Sequence, residues 1–204
     1  LGLNEEVKTA ILRAIQFETG MIIVTGPTGA GKTTTLYAIL KSLNTPDKKI
    51  ITIEDPVEYK IAGIEQIQVQ PDRGFDFAQA LRAVLRQDPN IILVGEIRDK
   101  ETAEIAINAS LTGHLVLTTL HANSAPATFA RLIEMGAPGH LLSDAIRLII
   151  AQRLVKRPDP KEGEPGRMVV AQYLEPTAEY TELIKQKASI REFEELFEKL
   201  GGKS

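Results

Sequence analysis

The sequence predicts an α/β fold: a mostly parallel sheet flanked by helices, with a small antiparallel excursion and a helical C-terminal extension. Three observations predict it. Apolar runs at 21–25, 49–54, 91–94 and 115–120 read as strands buried on both faces. Stretches with helical spacing of apolar residues fall between them. A glycine-rich stretch, Gly26-Pro27-Thr28-Gly29-Ala30-Gly31-Lys32-Thr33, sits between the first strand and a helix-favouring segment. Strand and helix alternating in this way build a parallel sheet with helices on both faces.

Taken in order, Asn4 caps a first helix, with Glu5 and Glu6 in its first turn, Val7, Ile11 and Ile15 on one face, and Gly20 closing it. A strand at 21–25 and a helix at 34–43 flank the glycine-rich turn, and a second strand spans 49–54. Residues 57–69 alternate around Gly63 and predict the antiparallel excursion. Phe77, Ala80, Leu81, Val84 and Leu85 mark a helix over 76–87. The strand Ile91–Val94 leads to a helix that starts at Asp99 and is ended by Gly113. After the strand Leu115–Leu120, helices are predicted at 126–135 and 139–151. Residues 158–166 are rich enough in Pro and Gly to mark a minor boundary, so a core over 1–157 and an extension over 158–204 are expected. The extension reads as a strand at 167–174 and amphipathic helices at 178–187 and 190–200.

A chain of 204 residues with 43% hydrophobic content can bury a sizeable core. Lys plus Arg number 24 and Asp plus Glu 27, a net charge of −3, so no global positive charge points to nucleic acid. The absence of cysteine excludes disulfides and thiolate metal sites. No apolar run reaches membrane-spanning length, so no direct span is expected. The chain starts at Leu1 rather than Met, as a piece of a longer protein would.

The glycine-rich stretch has the form G-x-x-x-x-G-K-T and predicts binding of a nucleoside triphosphate. Its backbone N–H groups would turn inward on phosphate oxygens at a helix N-terminus. Gly26, Pro27, Thr28, Gly29, Ala30, Gly31, Lys32, Thr33 and Thr34 are the binding candidates. Lys32 would reach the β and γ phosphates, and the Thr33 hydroxyl would ligate Mg²⁺. In open parallel sheets, ligands bind beyond the carboxyl ends of the strands. The other strands deliver polar groups to that edge: Glu54-Asp55 with Glu58 behind, Gly95-Glu96 with Arg98, and Thr118-Thr119-Leu120-His121.

Phosphoryl transfer needs Mg²⁺, an oriented water and neutralised charge. Glu96, at the end of Ile91-Ile92-Leu93-Val94-Gly95, is the candidate to orient or activate the attacking water and to stand beside the metal. The aspartate usual in such a strand is replaced by Gly95. Glu54, Asp55 and Glu58 are the acids available to complete the metal's shell or share in catalysis, or else form a solvated acidic turn set by Pro56. His121 could hydrogen-bond a γ-phosphate, or simply end a strand with a polar group. His114 and His121 cannot easily share an ion, because seven residues of strand rise about 23 Å and odd spacing opposes the side chains. His114 reads as a packed, hydrogen-bonded histidine. Arg82 and Arg86, four apart and off the apolar face of their helix, could pair with surface acids or contact a neighbouring subunit.

Together these motifs resemble the C-terminal motor domain of the type II secretion and type IV pilus assembly ATPase family. Four boxes match in order: Walker A at 26–33; an Asp box, Thr52-Ile53-Glu54-Asp55-Pro56-Val57-Glu58; an atypical Walker B ending Val94-Gly95-Glu96-Ile97-Arg98-Asp99; and a His box from Thr112-Gly113-His114 through Thr119-Leu120-His121. The segment Leu81-Arg82-Ala83-Val84-Leu85-Arg86-Gln87-Asp88-Pro89 is also similar, and the match runs over 1–157 and more weakly to 187. The resemblance implies a RecA-like P-loop NTPase core and a ring-shaped homo-hexamer that hydrolyses Mg-ATP between its subunits. It implies a cytoplasmic place beside the inner membrane, docked to a platform protein and to cytoplasmic domains of the secretion or pilus machinery. It also implies an N-terminal domain that supplies arginines to the nucleotide site and that this chain begins after. An arginine finger can be worth ~10³–10⁵ in rate.

Many assembly members bind zinc through paired cysteines after a segment like Gln152-Arg153-Leu154-Val155. Here Lys156-Arg157-Pro158-Asp159-Pro160-Lys161-Glu162 follows instead, so no zinc is expected. That departure is shared with pilus retraction members, whereas the Asp box and Gly63-Ile64-Glu65-Gln66-Ile67-Gln68-Val69 resemble assembly members. Assembly is therefore the reading taken forward. Two other classes stand beside it. A nucleic-acid-translocating RecA-like ATPase is opposed by the acidic balance and the missing aromatic-and-basic stripe. A nucleotide-dependent scaffold would bind ATP without useful turnover.

Overall fold

Aliphatic runs with no polar face are satisfied only where helices cover both sides of a sheet. The computed structural model, which describes residues 2–158 and 166–202, shows how this chain meets that requirement. Strands β1 (Gly20–Thr25), β2 (Ile50–Glu54), β3 (Glu65–Gln68), β4 (Ile91–Val94), β5 (Leu115–Leu120), β6 (Ile146–Lys156) and β7 (Arg167–Leu174) form one sheet. Their order is β3-β2-β4-β5-β1-β6-β7. Every residue of β1, β2, β4 and β5 is buried. All neighbours run parallel except β6 and β7, which are antiparallel.

Helices α1 (Glu5–Ala14) and α2 (Lys32–Leu43) cover one face. The other is covered by α3 (Phe77–Leu85), α4 (Lys100–Leu111), α5 (Ala127–Glu134), α6 (Gly139–Ala145), α7 (Ala178–Lys185) and α8 (Ile190–Lys199). The period of two along a strand divides the core: Ile22 and Val24 pack toward α1 and α2, Met21 and Ile23 toward the opposite layer. Asn4, Asp76, Asp99 and Ser189 each cap a helix by accepting from the backbone N–H three residues on. Such caps contribute roughly 1 kcal/mol each. Phe129, Tyr180 and Phe193 stack with centroids 5.6 to 6.4 Å apart, so α5, α7 and α8 share one apolar layer with the sheet. Among the described residues no helix is long and apolar enough to cross a membrane.

Three expectations are corrected. The antiparallel pair is β6–β7, not the segment 57–69, where β3 instead runs parallel to β2. Alternation identifies a strand but not its direction, and a four-residue strand needs a return of only ~13 Å. The helix expected over 139–151 stops at Ala145, and β6 begins at Ile146. The Ile146–Ile150 run carries three β-branched isoleucines, and Arg147 is its one polar residue, so pairing against β1 outweighs local helix propensity. Finally, α1 ends at Ala14, and Gly20 opens β1 rather than closing the helix. Of the loop expected over 158–166, residues 159–165 lie outside the described residues, as do Asp159-Pro160-Lys161-Glu162 of the segment that replaces the zinc cysteines.

Phe193 is fully buried in the aromatic stack, whereas Ile190 on the same helix is exposed. Phe193→Ala should therefore destabilise the fold by about 3–5 kcal/mol. Ile190→Ala should stay within about 0.5 kcal/mol. Urea unfolding followed by circular dichroism measures both, and equal effects would disprove the shared layer.

Candidate functional site

β1 is gripped on both edges by parallel strands and delivers the chain to Gly26 at its carboxyl end. Gly26 has a φ of 142°, and a Cβ there would lie 2.2 Å from the carbonyl oxygen of Gln152. Only glycine lets the loop press this closely on β6. Gly31, with a φ of 85°, is the N-cap of α2 and offers no side-chain cap. The first N–H groups of α2 thus meet no capping side chain at the helix end that favours anions. Gln152 braces the loop from beneath: its Nε2 donates to the Ala30 carbonyl at 2.7 Å, and its Oε1 accepts from the Thr35 hydroxyl at 2.9 Å. Lys32 Nζ donates to the carbonyls of Gly26 and Pro27 at 3.0 and 3.1 Å. Burial holds the Lys32 pKa below the ordinary lysine value, opposed by the nearby charge of Glu96.

The loop forms one wall of a cleft of about 770 Å³, lined by residues 28–34 and, opposite them, by Glu54, Asp55, Glu58, Glu96, Arg98 and His121. That volume lies in the range of small-ligand sites. Gly26 and Pro27 stand beneath it and hold Lys32. Glu96 follows β4 directly. The Gly95 N–H donates to the Ile53 carbonyl at 2.8 Å, and a Cβ at Gly95 would lie 3.1 Å from the same oxygen. A side chain at 95 would need the β2 backbone to give by a few tenths of an ångström, which glycine avoids. The Thr119 hydroxyl donates to the Gly95 carbonyl at 2.7 Å, fixing the turn that presents Glu96.

The Glu96 side chain is only 16% exposed and accepts from the Arg98 guanidinium at 2.6 Å. His121 Nε2 is 3.7 Å from its other oxygen. Arg98 also lies 3.7 Å from Asp55, and its pKa is raised chiefly by the hydrogen bond to Glu96. Glu96, His121, Asp55 and Arg98 are therefore one cluster. Glu54 is different. It is buried and accepts from the Tyr37 hydroxyl, from Thr52 at 2.5 Å and from Gln66 at 3.2 Å. Burial, then the bond to Glu54, pushes the Tyr37 phenol above its ordinary pKa. Glu58 lies exposed at the rim. His114 is half-buried with Nδ1 3.1 Å from the Ala109 carbonyl, and Arg82 pairs with Glu101 of α4.

The residues fit a magnesium-bound polyphosphate. The uncapped α2 terminus, the glycine cradle and Lys32 match phosphate oxygens. Among the described residues no three His, Asp or Glu side chains converge as a metal cage. Magnesium suits such a site, because it keeps several waters and binds through one or two side chains plus phosphates. Sequence reasoning missed Gln152, Thr35, Tyr37 and Gln66. Gln152 was hidden because the residues before it read as helix, and the others carry no motif.

A family model described as "Type II/IV secretion system protein" matches residues 1–203. The Type II secretion system protein E of Xanthomonas campestris pv. campestris is 54% identical over 164 residues, covering 80% of this chain and 29% of that protein. The Type IV pilus assembly ATPase PilB of Pseudomonas aeruginosa is 57% identical over 157 residues, covering 77% of this chain and 28% of that protein. Among solved structures, the pilus retraction motor PilT with bound ADP matches with a TM-score of 0.80 at 37% identity, covering 98% of this chain and 57% of that one. The chain spans less than a third of the length of the two curated relatives.

Proposed function

Because this chain belongs to the type II/IV secretion system protein family, we propose that it binds Mg-ATP and hydrolyses it to drive assembly of a type II secretion pseudopilus or a type IV pilus. The observation that carries the reading is Lys32 on an uncapped glycine cradle facing Glu96 across one cleft. The relatives at 54% and 57% identity are a type II secretion protein and a pilus assembly ATPase, and this favours assembly.

In this mechanism the N–H groups of residues 29–34 and Lys32 hold the phosphates. Thr33, with Glu96 and Asp55 across the cleft, would hold magnesium, which neutralises phosphate charge. Glu96 orients and deprotonates the attacking water, and its low exposure keeps bulk water from competing. His121 stands beside Glu96 to hydrogen-bond the γ-phosphate, and Glu58 closes the rim. Glu54 acts by holding the wall, since its oxygens already accept three hydrogen bonds. Arg98 is engaged by Glu96 and Asp55, so a further cation for the γ-phosphate comes from another chain or domain. That requirement supports a homo-hexameric ring with 1–157 as its ATPase core and 158–204 as an extension. The ring would be cytoplasmic and peripheral to the inner membrane, held by a platform protein and other machinery domains.

Lys32→Ala should weaken ATP binding sharply and abolish hydrolysis while the fold stays intact; unchanged affinity in a titration would remove the phosphate-loop assignment. Glu96→Gln should lower kcat by about a hundredfold or more and leave affinity nearly unchanged. Hydrolysis at the parent rate would move the base to another acid. Specific activity of the protein should rise with concentration as rings assemble, followed beside mass in solution. Activity flat on dilution to monomer would mean that all catalytic groups lie in one chain.

A further inference from the structure

Two glutamines on β3 have no part in the chemistry above, yet their side chains hold the backbone that carries two of the cleft's acids. β3 pairs with β2 so that Gln66 lies opposite Thr52 and Gln68 opposite Glu54. The connection between them, residues 55–64, contains no helix or strand and bears Asp55 and Glu58. Gln66 Oε1 accepts from the Ile61 N–H at 2.8 Å, and Gln66 Nε2 donates to the Tyr59 carbonyl at 3.1 Å. Gln68 Oε1 accepts from the Val57 N–H at 3.3 Å. Gln66 Nε2 also reaches Glu54 Oε1 at 3.2 Å. Glu54 in turn holds the Tyr37 hydroxyl of α2, the helix that begins in the phosphate loop. The Tyr59 ring packs edge-on to Tyr37 with centroids 4.7 Å apart, joining the same two elements a second time.

We infer that Gln66 is a positioning residue that sets where Asp55 and Glu58 stand relative to the phosphate loop. Gln66 does not line the cleft itself. Its amide alone combines the functions the place needs: an acceptor for the Ile61 N–H and two donors, for the Tyr59 carbonyl and for buried Glu54. A carboxylate there would lose both donors and repel Glu54. An apolar side chain would leave Glu54 short of a donor and the Ile61 N–H unpaired. The register decides the matter, because a one-residue slip would turn Gln66 and Gln68 to the other face of the sheet.

The kinetic consequence rests on the ATPase reading; the structural one does not. The test therefore has two arms, both in the full-length protein, with Gln66→Met and Gln66→Glu as the variants. In hydrogen exchange without nucleotide, the Ile61 amide, and with it the bonded amides of Val57 and Ile64, should exchange about tenfold faster in both, with those of α2 unchanged. In steady-state ATPase, kcat should fall about tenfold while KM stays within about twofold. Tyr37→Phe should cost less in the Gln66→Met background than alone, because both act through Glu54. Unaltered exchange at Val57, Ile61 and Ile64 overturns the inference, and so does a KM rise with kcat retained, or faster exchange with kcat retained. If the parent protein hydrolyses no ATP, the proposed function fails while the exchange arm still decides whether Gln66 holds the loop. Should one variant not fold, the other carries both arms.

Discussion

The cleft depends on β1 being held on both edges by strands that run in its own direction. Its register with β5 is continuous to Thr25, its register with β6 shifts once between Met21 and Ile22 and then holds to Thr25, and both of its faces are buried. The strand can neither tilt nor slide without exposing aliphatic surface, at about 25 cal/mol per Å². The Thr25 hydroxyl secures its last residue, donating to the Leu120 carbonyl at 2.8 Å and accepting from the Ala122 N–H at 2.8 Å. That bond ties the start of the phosphate loop to the end of β5, where His121 follows. Parallel pairing then does the rest, because β2 and β4 must end at the same edge. Polar residues far apart in sequence meet there as a consequence of apolar packing.

The charges at that edge act on ligands more than on stability. Arg98 is 58% exposed, so its pairs with Glu96 and Asp55 are worth about 1 kcal/mol or less. Lys32 is different, being partly buried with its pKa held below the ordinary range. A bound polyphosphate would favour its charged form and tighten as it did so. The backbone N–H groups of α2 need no such adjustment, which makes the cradle the fixed part of the site and the side chains the adjustable part.

Much of this was legible in the sequence. The strands at 21–25, 91–94 and 115–120 could be read because continuous aliphatic runs bounded by turns admit few other structures. Asn4 and Asp99 marked helix starts because a capping side chain acts within three residues, a distance that sequence alone specifies. Two of the errors share one cause. Ile146-Arg147-Leu148-Ile149-Ile150 fits a buried helix or a buried strand equally well, and only its pairing with β1 decides. The alternation at 64–69 is likewise indifferent to strand direction. Gln152 and Gln66 derive their roles from those two pairings, so misreading the pairings hid the residues. Arg98 stood in plain view beside Glu96, but its contact with Asp55 crosses from β4 to β2 and follows from the sheet order.

Gly95 shows how far packing can dictate chemistry. The Gly95 N–H continues the β4–β2 ladder to the Ile53 carbonyl, and a Cβ added at 95 would lie 3.1 Å from that same oxygen, so a side chain there needs the β2 backbone to give by a few tenths of an ångström. An acidic side chain at 95 would have to displace backbone rather than a flexible neighbour. The acid therefore comes one residue later, at Glu96, beyond the last paired residue of β4 and free of the sheet's alternation. Thr119 compensates for the lost side chain by fixing the Gly95 carbonyl from β5. Asp55 follows the last residue of β2, and the loop bearing Asp55 and Glu58 contains no helix or strand to support it. Gln66 and Gln68 supply that support. The chain thus brings Glu96 from the end of β4 and the loop of Asp55 and Glu58, held by glutamines of β3, to one edge from neighbouring strands.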